Sequence, residues 1–152
     1  MKKILFLVLI LSYSVCFASF KIEDANDFKM AYQNNYNSLW KQLHDIEKQV
    51  FECNLNGVKL FFLLYYYGKS ITECSEFFQE TLEKFIIKSP DCFFTAINAE
   101  KEEVQKFILF NIKFNAFGSP DEIEKINKIL SGKNYRKKYS SVFKIFENLQ
   151  KQ

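Results

Sequence analysis

An all-α domain follows from three observations. Apolar residues recur at steps of three and four along most of the chain, which is the period of one helical face. The four glycines, Gly57, Gly68, Gly118 and Gly132, and the two prolines, Pro90 and Pro120, fall between those segments, where helix ends accept them and helix interiors do not. No stretch shows the sustained two-residue alternation of a half-buried strand. The expected architecture is a compact bundle of about seven short helices.

The chain opens on an address. Met1-Lys2-Lys3 is a short basic region, Ile4 to Leu11 an unbroken apolar run, and Cys16-Phe17-Ala18 a small-x-small site. Together they have the pattern of a bacterial secretory signal peptide cut after Ala18. The apolar run is too short for an anchor, and Val15 is bulkier than the residue that normally precedes a lipidated cysteine, which argues against lipidation at Cys16. The expected division is residues 1–18 as signal peptide and 19–152 as a single helical domain, with a periplasmic or secreted destination and no membrane span after cleavage. Removing 18 of the 152 residues leaves 134, enough for one core that buries roughly two thirds of the unfolded surface.

The first segment runs from about Asp24 to Cys53. Phe28, Tyr32, Tyr36, Leu39, Trp40, Leu43, Ile46 and Val50 mark its buried face, and Asn34-Asn35-Tyr36-Asn37 is a point where it can kink or split. Val58 to Tyr67 contains a single charge, Lys59, so this second helix is greasy all round and must be covered on every side. A third helix begins at Ser70-Ile71-Thr72-Glu73, which reads as a capping box, and buries Cys74, Phe77, Phe78, Leu82, Phe85 and Ile86. Ser89-Pro90 ends it and opens a short fourth with Cys92, Phe93, Ala96 and Ile97.

Asn98 is a candidate cap for a fifth helix whose Val104, Phe107, Ile108, Leu109, Phe110, Ile112, Phe114 and Phe117 cover most of its circumference, making it a second central element. Ser119-Pro120-Asp121-Glu122 caps a sixth, holding Ile123, Ile126, Ile129 and Leu130. A last helix carries Tyr135, Tyr139, Val142, Phe143, Phe146 and Leu149. Between these two, Lys133, Arg136, Lys137 and Lys138 read as a solvated loop.

Without Lys2 and Lys3 the mature chain has 19 basic and 18 acidic groups, so no chain-wide pull draws it to nucleic acid or anionic lipid. Three cysteines remain, in a compartment where disulfides form. If consecutive helices run up and down, Cys74 and Cys92 are separated by up to roughly 27 Å along helix three, and Cys53 and Cys74 by about 15 Å along helix two. Cys53 and Cys92 end at one level, so the expected bridge is Cys53–Cys92, with Cys74 free in the core; three reduced, buried thiols are the alternative.

Catalytic inventory is thin. The single histidine, His44, lies one turn from Glu47, with no evident third metal ligand. The glycines are too dispersed for a phosphate loop, and no cysteine pair has zinc spacing. Neither an enzyme nor a cofactor is expected.

Two features point to a partner. Glu73, Glu76, Glu80 and Glu83 step by three, four and three along one helical face, either as a solvated surface or as a strip that docks a basic protein. Tyr65, Tyr66 and Tyr67 point three ways around a helix end, so at least one ring meets solvent or a partner. Aromatic residues make up 18% of the chain, which either a bulky core or an interface would use.

Ser89-Pro90-Asp91 and Ser119-Pro120-Asp121 stand 30 residues apart, each opening a short helix followed by a longer one. This spacing is close to that of the 30-odd-residue helical hairpins of α-solenoids, and the helix pairing resembles HEAT-like hairpins, although coincidental caps in an irregular bundle account for it as well. The overall plan resembles small secreted bacterial all-α proteins of unassigned role. The sequence therefore leads to a non-catalytic protein that binds another envelope or secreted protein. Its alternatives are an immunity or inhibitor protein against an envelope-targeting toxin or enzyme, and a carrier of an apolar molecule held between the second, third and fifth helices.

Overall fold

The computed structural model describes residues 22–114 and 118–149. The expected signal peptide and cleavage site, Cys16 and Phe117 lie outside the described residues. Within them the fold is all-helical: α1 (Ala25–Asn34), α2 (Tyr36–Phe51), α3 (Leu55–Gly68), α4 (Thr72–Lys88), α5 (Pro90–Asn98), α6 (Glu102–Phe114), α7 (Pro120–Ser131), α8 (Lys133–Lys138) and α9 (Ser140–Leu149). These nine exceed the expected seven because two segments split. The first breaks at Asn35, whose backbone leaves the helical region. The last breaks at Tyr139, so the basic cluster expected as a loop is the short helix α8.

Two helices share the centre. α3 packs on α1, α2, α4, α5 and α6, and α4 packs on α2, α3, α5, α6 and α7. The expectation that α6 would be the second central helix is not met: it leaves Lys106 and Phe110 outward, with Phe110 45% exposed. Nor is α3 covered on every side, since Lys59 and Leu60 face solvent. Phe28, Leu39, Leu43, Val50, Phe61, Phe62, Phe78, Leu82, Phe85 and Phe93 form the buried centre.

Local chemistry explains the boundaries. At the end of α2 the amide of Cys53 bonds the carbonyl of Val50 at 3.0 Å and the amide of Asn54 that of Gln49 at 2.9 Å, with Cys53 at φ 57°. This is a Schellman turn with cysteine in the left-handed position that usually takes glycine. The Asn54 side chain then caps α3 by accepting from Asn56 and Gly57. Gly57 is therefore inside α3, not between segments. A Cβ there would lie 2.5 Å from that of Gln49, so its role is the close approach of α2 and α3.

The Ser70–Glu73 capping box does not form: Ile71 is the cap residue and makes no side-chain bond. Asn98 does not cap α6 either; it is the last residue of α5. The box at Ser119 and Glu122 is complete, whereas Ser89 makes no side-chain cap, so the two Ser-Pro-Asp starts are built differently. Cys53 and Cys92 lie at disulfide distance, with sulfurs 2.00 Å and alpha carbons 6.0 Å apart, linking the α2–α3 turn to the first turn of α5. Cys74 is buried and free.

Candidate functional site

Tyr32, Tyr36, Trp40 and His44 are each four residues apart, so they climb one edge of α1 and α2 and stay in line across the break at Asn35. Neighbouring ring centres are 5.5, 6.0 and 6.0 Å apart. Leu39, Leu43, Ile46 and Val50 take the buried side of α2, leaving the aromatic row at the margin of the core. Tyr36 is 43% exposed, Tyr32 and Trp40 are half-buried, and the His44 side chain is largely open. Phe77 of α4, expected in the core, is half-buried here and stands edge-on to Trp40 and His44 at 5.3 Å from each.

Glu73 fixes the upper end of the row. It accepts the phenol of Tyr32 at 2.8 Å and that of Tyr36 at 2.5 Å. Those two bonds, Tyr36 first, hold the Glu73 carboxyl below its usual pKa. Reciprocally, the bond to Glu73 is the main reason that the Tyr32 phenol is pushed up to about 12 and that of Tyr36 is also raised. At the other end, His44 Nδ1 lies 3.1 Å from Glu47, whose second oxygen accepts from Thr81 at 3.3 Å. These contacts limit the freedom of rings that nonetheless face outward.

Glu76 and Glu80 continue the face, since positions 73, 76, 77 and 80 share one side of α4. Glu80 takes a 2.6 Å ion pair from Lys84. Beyond them a groove of about 410 Å³ runs between α4 and the start of α7, lined by Glu76, Glu80, Glu83, Lys84, Gly118, Ser119 and Glu122. Four carboxylates against one ammonium make it negative.

The expected acidic strip is thus shortened. Glu83 is 4% exposed, because α4 is central and its lower end runs beneath α7. A buried polar chain reaches it: Tyr65 donates to Gln79 at 2.7 Å, and the Gln79 amide donates to Glu83 at 2.5 Å. Tyr65 is likewise no surface ring; it is 1% exposed, and burial first of all pushes its phenol up to about 12. Tyr66 and Tyr67 are half-buried. Tyr66 lies under the Lys69 ammonium at 4.0 Å and against Phe107 at 5.5 Å, in cationic surroundings separate from the acidic face.

Other expectations find a place in the same geometry. Between α3, α4 and α6, where a carrier would hold cargo, Phe61, Tyr65, Phe78 and Phe107 are in ring contact, and a groove of about 500 Å³ lined by Lys69, Ser75, Lys106, Phe107, Phe110 and Asn111 lies beside them. Burial, with Glu73 second, pushes the Cys74 thiol up to about 12, which suits a core side chain and not a nucleophile. Among the described residues no group of three or more His, Cys, Asp or Glu could hold a metal ion, and no helix is long and apolar enough to cross a membrane. Comparison with family models, with curated proteins and with solved structures finds no match to this chain.

Periodicity alone hides the aromatic row, because it merges Tyr32, Tyr36 and Trp40 with the buried face of the first segment. The available signal was the strict four-residue step of aromatic residues and histidine, offset from the aliphatic positions 39, 43, 46 and 50.

Proposed function

We propose that this protein is a non-catalytic binding module working in the periplasm or outside the cell, and that it docks a basic surface of another envelope or secreted protein. The observation that supports the reading is the ordered row Tyr32, Tyr36, Trp40 and Phe77, partly exposed and edged by Glu73, Glu76 and Glu80. Tryptophan and tyrosine dominate binding hot spots because they bury much area at a small entropic cost. Carboxylates at the rim would steer a cationic partner and fix its register. The two phenol bonds to Glu73 and the disulfide reduce the ordering that binding would otherwise require.

The test is site-specific photo-crosslinking in intact cells, with the reactive residue at Tyr36 or, as control, at the exposed Leu60 of α3. The proposal expects one product in fixed ratio from Tyr36 only, weakened by Glu76→Gln/Glu80→Gln in a chain that remains folded. Absence of a product, or equal products from both positions, would refute it.

A further inference from the structure

The near-neutral charge of the mature chain conceals a segregation. Residues 120–152 carry eight lysines and arginines against four carboxylates, whereas residues 19–119 carry eleven against fourteen. The fold gathers part of the basic excess around a groove of about 650 Å³ between the end of α6, the last turns of α7, and α8 with α9. Lys113, Lys128 and Arg136 surround it, and Leu130 and Phe146, each 5% exposed, contribute an apolar floor. Glu124 is the one carboxylate among the described lining residues.

Two of the three cations are held in place by rings. The Lys113 ammonium lies 5.4 Å from the ring centre of Phe146, and the Arg136 guanidinium 5.3 Å from that of Phe143. Such contacts keep the charged heads at the groove at a modest entropic cost. Arg136 shares its charge with Glu147 at 2.8 Å. Lys128 is exposed on the last turn of α7. The groove thus has a net positive rim over an apolar base, and it opens on a different part of the fold from the Tyr32–Phe77 face.

We propose that this groove binds a phosphate group, carried by an anionic phospholipid headgroup or free in solution. A cationic rim meets the oxyanion, and the Leu130–Phe146 floor accommodates the apolar part that only the lipid has. Interfacial cations near an anionic membrane each contribute on the order of fivefold in affinity. Losing Lys128 should therefore weaken vesicle binding about fivefold, and losing Lys113 as well about twenty-five-fold.

The experiment uses the mature chain at about 0.1 M salt, where the screening length is about 10 Å. Co-sedimentation is measured with phosphatidylcholine vesicles, with and without phosphatidylglycerol, and inorganic phosphate is titrated separately while the amide resonances of α7 and α8 are followed. The variants are Lys128→Gln, Lys113→Gln/Lys128→Gln, and, at an exposed position of α3, Lys59→Gln as a control matching the charge change of Lys128→Gln. Binding to phosphatidylglycerol vesicles that falls in the two groove variants, and not in Lys59→Gln, supports the site with a lipid source. Phosphate shifts at the groove without vesicle binding support it with a free anion. Neither response, or an equal loss in Lys59→Gln, overturns it.

Discussion

Removing the bridge between Cys53 and Cys92 should cost a large share of the protein's stability. The bond closes a loop with a sequence separation of 39, enclosing all of α3 and α4, the two central helices. Chain-entropy loss in the unfolded state for such a loop corresponds to about 4 kcal/mol. For a domain of this size that is roughly 15 °C in Tm. A second effect is separable. Cys53 sits at φ 57°, where a residue with a Cβ is strained by roughly 1 kcal/mol and glycine is not. Cys53→Gly/Cys92→Ser should therefore recover up to about 1 kcal/mol relative to Cys53→Ser/Cys92→Ser. Urea unfolding of chains comprising residues 19–152 without reductant, followed by Trp40 fluorescence and far-ultraviolet circular dichroism, measures both differences. A double-serine variant within about 1 kcal/mol of the parent would refute the loop-closure reasoning. A glycine variant weaker than the serine one would refute the strain.

Three further outcomes follow from single contacts. Gly57→Ala would normally add about 1 kcal/mol to a helix, but its Cβ meets Gln49 at 2.5 Å, so a net loss of about 1–2 kcal/mol is expected in urea, and unchanged stability would contradict it. Glu73→Gln should bring the Tyr32 phenol down from about 12 towards 10 in an ultraviolet titration, and an unchanged curve would argue against the shared carboxylate. In the parent, the depressed Glu73 group contributes stability above its unfolded pKa and loses it as pH falls through the lower folded value. The raised Tyr32 contributes below about 10 and loses it as pH rises through about 12. Cys74, fully buried with its thiol pushed up to about 12, should resist a thiol reagent at pH 8 until urea unfolds the chain; rapid labelling of the native protein would contradict this.

Periodicity and punctuation made the helices legible because apolar faces must be buried whatever their partners. The approach of Cys53 to Cys92 within disulfide distance was legible because helix rise alone separates the other pairs. The boundaries that failed depend on tertiary partners. Glu73 leaves its own helix start for two phenols that are 37 and 41 residues away in sequence. Glu83 shares its helical face with Glu76 and Glu80, but its burial depends on where α7 crosses α4, which α4 alone does not encode. Cysteine carries no left-handed preference, so nothing at Cys53 announced the Schellman turn, and Gly57 looked like a breaker when its function is close helix contact. The surface face was the hardest to read: an aromatic residue at a helix margin has the same periodicity as one in the core.

The row contains the chain's only tryptophan, so the protein carries a reporter at the proposed interface. The most direct measurement is the emission and acrylamide quenching of Trp40 while the partner captured from Tyr36 is titrated in. The account predicts a saturable change with protection from quencher, weakened as salt shortens the screening length and weakened further by Glu76→Gln/Glu80→Gln. Saturable binding that leaves Trp40 emission and quenching unchanged would place the interface elsewhere and contradict it.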